Sequence, residues 1–479
     1  MPFKAFHLGF VILAASSLPA LAATTQADAD KVRDTLKPYL GPMTDQMKIV
    51  PLGDGFKISA DFTALLAEAK KSGSDVSVTP MEIIATPTGA NIWKLHQEGD
   101  LVVTAKMANG NVNEKITGAT HDAILNLDLG IISESNFAAK SVTVEEDLPD
   151  PKGGRTKINF SVDGLAIKST AKVNPEGGSD ITFSEPIGAI SATINSVNGK
   201  EVIDSTVKSA GGTYDGTIVG FKGSPMLSVW RFGIAHIGKK PTANDQGELK
   251  TALQTALPVF KSMTSGGSFT KIEVGTPLGV FGLDKLGVTL NATGLLKDGT
   301  LEEGLSVEGL NLPPGIAPPW AQSLVATNAA VNFKLSGFDL ATWSKGMLDA
   351  ADFTKTDVVP KNVMDKLALS ILPNGVATIT LGPSSISNSS YNLSADGSFS
   401  AGPAAMPTGK STVKLSGFDA LMKAITGAPP ESGVKDAGAV MIVAKGLSKS
   451  AADGSLTWDI EATPDGKVLV NGTDIKSLK

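Results

Sequence analysis

Apolar and polar residues alternate along most of this chain in short runs, and turn dipeptides separate the runs. The run 101–107 leads to Asn109-Gly110 and then to 111–117, and 190–197 leads to Asn198-Gly199 and 201–205. Residues 288–292 are followed, past Gly294, by Asp298-Gly299 and the run around Leu305, and 391–395 meets Asp396-Gly397. Near the end, 456–462 meets Asp465-Gly466, and 467–470 meets Asn471-Gly472. A period of two sends successive side chains to opposite faces of a strand, and Asn-Gly or Asp-Gly accepts the positive φ of a tight hairpin. Polar partners in the alternation imply one wet face, hence antiparallel sheets.

Helical periodicity is rarer. Residues 28–40 form an amphipathic run that ends at Gly41. Over 61–72 the signals are fuller: Asp61 caps, Phe62, Leu65, Leu66 and Ala69 make the stripe, and Gly73 stops it. Residues 246–263 place Leu249, Leu253, Ala256, Phe260 and Met263 on one face, with a kink expected at Pro258. Shorter helices are expected over 320–327, 340–351 and 361–369.

One segment recurs. VNFKLSGFD at 331–339 returns as VKLSGFD at 413–419, with Gly337 and Gly417 at 80 residues' spacing, and a looser copy runs from Phe56 to Asp61. Each reads as a strand, a turn and an Asp-capped helix, which predicts that Asp339 and Asp419 cap. An anion-binding role is the sharper reading of a helix N-terminus, but the Asp carboxylate already occupies it and repels anions. The period is too long for a solenoid and fits duplication of a small α+β unit.

The N-terminus changes the picture. Lys4, the apolar run 8–17 and Ala20-Leu21-Ala22 form the three zones of a secretory signal, with cleavage expected before Ala23. That apolar run is shorter than the roughly 20 residues a membrane span needs, and no later stretch reaches that length. Lys4 is the only charged residue in 1–22, so cleavage leaves 41 basic against 48 acidic residues, a net charge of −7. This mild acidity and the lack of a basic cluster argue against nucleic-acid binding. With no cysteine, thiol catalysis, disulfides and zinc–thiolate sites are excluded, and the fold rests on burial alone.

No motif in the chain assigns a catalytic, cofactor or metal residue. Ser-x-x-Lys occurs at Ser169/Lys172, Ser205/Lys208, Ser268/Lys271, Ser411/Lys414 and Ser432/Lys435. The first four lie in strand-like runs, where positions three apart face opposite ways, and the fifth reads as a loop. His96, His121 and His236 are too scattered for a metal, although His96 and Glu98 share a strand face and His121 adjoins Asp122. The acidic run Glu145-Glu146-Asp147 lacks the spacing of a calcium loop. Gly409-Lys410-Ser411 is a partial phosphate loop with Ala404 where the first glycine belongs, followed by a strand rather than a helix.

The segments GDGFKISAD (53–61), LSGFD and PDGKVLVNG (464–472), together with the signal segment, resemble uncharacterised periplasmic proteins of alphaproteobacteria, a domain of unknown function. The resemblance covers most of the mature chain. It implies a Gram-negative envelope location and carries over no catalytic residue. A more distant similarity is to envelope proteins whose long β-sheets hold lipids.

The sequence thus predicts an α+β fold: extended antiparallel sheets with short Asp-capped helices packed on one face, in two related halves. The expected division is a signal peptide at 1–22, a β-rich domain at 23–220 and a second at 221–479 with the strand–turn–helix repeats. The expected function is a non-catalytic periplasmic protein that binds an apolar or amphipathic ligand, such as a lipid, or an envelope protein along a sheet face. Val102, Val288, Leu290, Val331, Phe333, Val413 and Leu415 are expected to line that face. An exported hydrolase using carboxylates and a purely structural envelope component are the alternatives.

Overall fold

The computed structural model describes residues 24–60, 66, 75–89, 91–107, 110–149, 153–198, 201–237, 239 and 241–475. The expected signal segment 1–22, and the expected helix at 61–72 apart from Leu66, lie outside the described residues. Two compact units divide the chain: 1–204 with 213–262 and 345–363, and 205–212 with 263–344 and 364–479.

The first unit opens with helix α1 (Gln26–Leu40), whose N-terminus is fixed by a capping box. The Thr25 hydroxyl accepts from the Asp28 amide, and the Asp28 carboxylate accepts from the Thr25 amide at 3.2 Å. The stripe Ala29, Val32, Leu36 and Leu40 is buried with Ile49 of β1 (Met47–Leu52) and with Phe56 and Ile58 of β2 (Gly55–Ala60). After β3 (Asp75–Val78), β4 (Met81–Gly89) adds Ala85 to this core and β5 (Ile92–Met107) adds Trp93 and Leu95.

From β5 the chain meanders through β6 (Gly110–Asn126), β7 (Ile131–Pro149), β8 (Arg155–Val173) and β9 (Ser179–Asn198), each antiparallel to the last. These strands are long, up to 20 residues. On β7 shielded and exposed positions alternate as far as Lys140, with Ser135, Phe137 and Ala139 shielded, and Ser141 to Val144 are all partly shielded. Near this point Gly118 and Gly164 take φ angles of +58° and +93°, which side chains with a Cβ rarely adopt. Strands β10 (Glu201–Ser209) and β11 (Gly211–Phe221) and helices α2 (Gly223–Ala235) and α3 (Ala243–Ala256) follow. The helix expected over 246–263 therefore stops at Ala256, before Pro258, and Ser262 already begins a strand.

In the second unit β12 (Ser262–Thr276) pairs with β10, Val207 opposite Val274. A meander then runs through β13 (Gly279–Thr293), β14 (Gly299–Glu308), β15 (Asn328–Phe338), β16 (Ala377–Ser387), β17 (Asn392–Gly402) and β18 (Ala405–Ser416). Helices α4 (Leu340–Ala350) and α5 (Lys361–Ser370) lie between β15 and β16 in sequence. Helices α6 (Phe418–Thr426) and α7 (Lys435–Gly446) follow β18. The unit closes with β19 (Lys449–Ser450), β20 (Leu456–Ala462), β21 (Val468–Val470) and β22 (Thr473–Asp474). Both closing turns fall where Asp465-Gly466 and Asn471-Gly472 place them, with positive φ at Gly466, Asn471 and Gly472.

These observations correct the expected fold class. The protein is mainly antiparallel β, 55 % strand against 23 % helix, not an α+β fold with helices packed over a sheet face. Leu305, Val331 and Ile379 remain about half exposed on strands of the second unit, where a helical layer would have covered them. The alternating runs identify strands but not their length, and strands of up to 20 residues present more sheet face than the helices cover. Asp339 does cap α4, accepting from the Thr342 amide at 2.7 Å. Asp419 does not cap: α6 begins one residue earlier behind Gly417, and the Asp419 side chain faces solvent.

Candidate functional site

Cross-strand pairing gathers the apolar positions of the second unit onto one face. Leu393 lies opposite Leu415, Val413 opposite Trp458, and Ile460 opposite Val470. Directly opposed residues point the same way, so one apolar row crosses β17, β18 and β20. The other face is polar, with hydroxyl pairs such as Thr378–Ser400 at 2.8 Å and Thr380–Ser398 at 3.1 Å. On β16 the register shifts between Leu381 and Ser384, which keeps both Leu381 and Ile386 on the apolar face despite their odd spacing.

Two helices stand over the end of this face and leave a cleft of about 490 Å³. Its floor is Ile386, Leu393, Val413, Leu415, Trp458 and Ile460, and its walls include Leu421 and Ile425 of α6 and Met441 and Ala444 of α7. Tyr391 and Leu415, which line it, form a buried cluster with Phe418 and Leu456. The two aromatic side chains with polar ends turn those ends away into the backbone. Trp458 Nε1 donates to the Ala444 carbonyl at 2.7 Å, and Tyr391 Oη donates to the Leu324 carbonyl at 3.0 Å. Burial pushes the Tyr391 phenol above its ordinary value. The C-terminal end of α7 is tied down by Asn471, whose Nδ2 donates to the Leu447 carbonyl at 2.7 Å. No residue lining the cleft carries a charge, and its size falls in the range of small-molecule sites.

A second cleft, of about 630 Å³, lies in the first unit between α1, α2 and α3 and is lined by charge: Asp34, Lys37, Arg231, His236 and Glu248. Its imidazole is committed to structure. His236 Nδ1 lies 2.8 Å from the Phe232 carbonyl, Nε2 lies 3.4 Å from Asp245, and the ring stacks on Phe232 at 4.1 Å. The Phe232 carbonyl, and after it Asp245, raise its pKa. Ser228, the hydroxyl in this cleft, donates back to the Ser224 carbonyl. The arrangement is that of a helix end held shut.

Of the residues expected to line an apolar face, Val413 and Leu415 do line the cleft. Val288, Val331, Leu290 and Phe333 fall on the same face through their pairings with Leu305 and Glu303, but beyond the cleft. Val102 belongs to the other unit, opposite Lys115. His96 lies 2.9 Å from Asp122 and 3.9 Å from Glu98, and His121 lies 3.0 Å from the Ser135 hydroxyl. No group of three metal-ligating side chains placed to hold an ion occurs among the described residues. The first four Ser-x-x-Lys pairs sit on strands. Sequence reasoning missed α7 altogether: its run from Ala437 to Ala444 has no amphipathic period to identify it as a helix.

No helix of the described residues is long and apolar enough to cross a membrane. The chain matches no protein-family model, no curated protein and no solved structure.

Proposed function

We propose that this chain is a non-catalytic envelope protein that holds the hydrocarbon part of an amphipathic ligand in the cleft between the sheet of the second unit and α6 and α7. The observation that carries this reading is the uncharged lining of the cleft together with its continuation. Ile386 lines the cleft and is 39 % exposed, and its partner Ala329 leads on to the half-exposed Val331 and Leu305. From β20 to β14 this path crosses five strand spacings of about 4.8 Å, or about 24 Å. One leaflet of a bilayer's hydrocarbon core is about 15 Å deep, so a single acyl chain fits along the path.

Apolar burial supplies affinity for the chain, and the absence of charged groups leaves the ligand's head group in water. The matching test is equilibrium binding of a fluorescent fatty acid to the full chain. Saturable binding that is lost in Ala444→Phe, which fills the cleft from its wall, supports the reading. Binding that Ala444→Phe leaves unchanged contradicts it. The periplasmic address belongs to the same proposal and rests on the signal segment: the exported protein should begin at Ala23 on N-terminal sequencing.

A further inference from the structure

Helix α7 is apolar on the side turned away from the cleft as well as on the side that lines it. Between Asp436 and Lys445 it carries no polar or charged side chain. Its inward contact is narrow: Gly438 is buried against Ile425, and Met441 and Ala444 line the cleft. Outward, Val440, Ile442 and Val443 are 68, 62 and 62 % exposed. A helix that is apolar all round belongs in a core or in a lipid phase, and a contiguous exposed apolar patch marks a contact site.

We infer that the outer face of α7 seats on a lipid surface, so that the wall of the cleft is also the part of the protein in contact with the source of its ligand. This rests on the reading of the cleft as a hydrocarbon site. The eight-residue apolar run spans about 12 Å, far short of a bilayer's core, so the helix lies in the plane of the interface with its apolar side sunk among the acyl chains. A hydrocarbon ligand resides in a lipid phase, and α7 is the element that separates the cleft from that face. Between its ends the exposed face offers no charge for a protein partner to pair with: Asp436 stands exposed at the start of the helix, and Lys445 at its end lies 3.5 Å from Asp419 and 4.6 Å from the Phe418 ring. The contact is therefore apolar, and it depends little on lipid charge or salt.

The test is flotation of the full chain with phosphatidylcholine vesicles, and with the same vesicles doped with phosphatidylglycerol, at low and high salt. The inference predicts equal binding to both at both salt levels. Val440→Asp and Val440→Lys should each lower it about tenfold or more, while the fatty-acid binding measured without vesicles stays unchanged. Failure of the unaltered protein to float overturns the inference. So does Val440→Lys binding the doped vesicles as well as the unaltered protein does, since that is ionic adsorption. A dimer in sedimentation velocity that Val440→Asp dissociates overturns it too, because a second copy then covers the face. If flotation behaves as predicted but no fatty acid binds, the cleft reading fails and the docking face stands.

Discussion

Trp458 on β20 donates its indole N–H to the carbonyl of Ala444 on α7 at 2.7 Å. The bond ties the floor of the cleft to its wall by a donor that the apolar lining would otherwise leave unsatisfied. Replacing it by Trp458→Phe should cost about 1 kcal/mol and loosen α7. Hydrogen exchange of the α7 amides and the off-rate of a bound fatty acid should both rise. Unchanged exchange in α7 would show that Asn471 alone holds the helix.

Floor residues divide by burial. Leu415 is almost fully buried, so Leu415→Ala should lower the unfolding free energy by about 2–5 kcal/mol. Val331→Thr, on the half-exposed continuation of the same face, should change stability by less than about 0.5 kcal/mol. It should nevertheless weaken binding of a long fatty acid more than that of a short one. Urea denaturation and a chain-length series measure the two effects separately.

The repeated segments should respond differently. Asp339 holds the first turn of α4 through the Thr342 amide and hydroxyl, both at 2.7 Å, whereas Asp419 makes no capping bond. Asp339→Ala should lower Tm by a few degrees, with Asp339→Asn recovering most of the loss. Asp419→Ala should leave Tm unchanged.

Much of this was legible in the sequence because turns are local. The Asn471-Gly472 and Asp465-Gly466 turns and the Asp339 cap of α4 depend on neighbours a few residues away. Asp396-Gly397 reads as a turn by the same rule, yet it lies within β17, paired with Thr412 and Ser411. A Cβ at Gly397 would lie 2.3 Å from that of Ser411, so this glycine serves close strand approach. The cleft was half legible. Alternation placed Val413 and Leu415 on an apolar face, but α7 becomes a wall through contacts distant in sequence, Gly438 against Ile425 and the Trp458 and Asn471 hydrogen bonds, which sequence periodicity does not encode.

Acid should destabilise the fold in a defined window. The Thr354 hydroxyl hydrogen bond, and then Lys355, lower the Asp352 pKa to about 2. The Ser455 hydroxyl does the same for Asp453, to about 2, and Lys467 followed by Thr463 for Asp465, to about 2. Folded-state values below the ordinary 3.8 mean that this stabilisation is complete above about pH 4 and is lost as pH falls toward about 2. Tm followed from pH 5 to 2 should show the fall, and Asp453→Asn should flatten it. Glu114 has the opposite sign: burial, and then Glu146, raise its pKa, so Glu114→Gln should raise Tm at neutral pH.

The decisive experiment is native mass spectrometry of the protein purified without detergent from the cells that make it. A bound species of lipid or fatty-acid mass is expected, one that organic extraction releases and that Ala444→Phe fails to retain. A protein that carries no such mass, and takes up none from added fatty acid, would contradict the reading of the cleft as a hydrocarbon site.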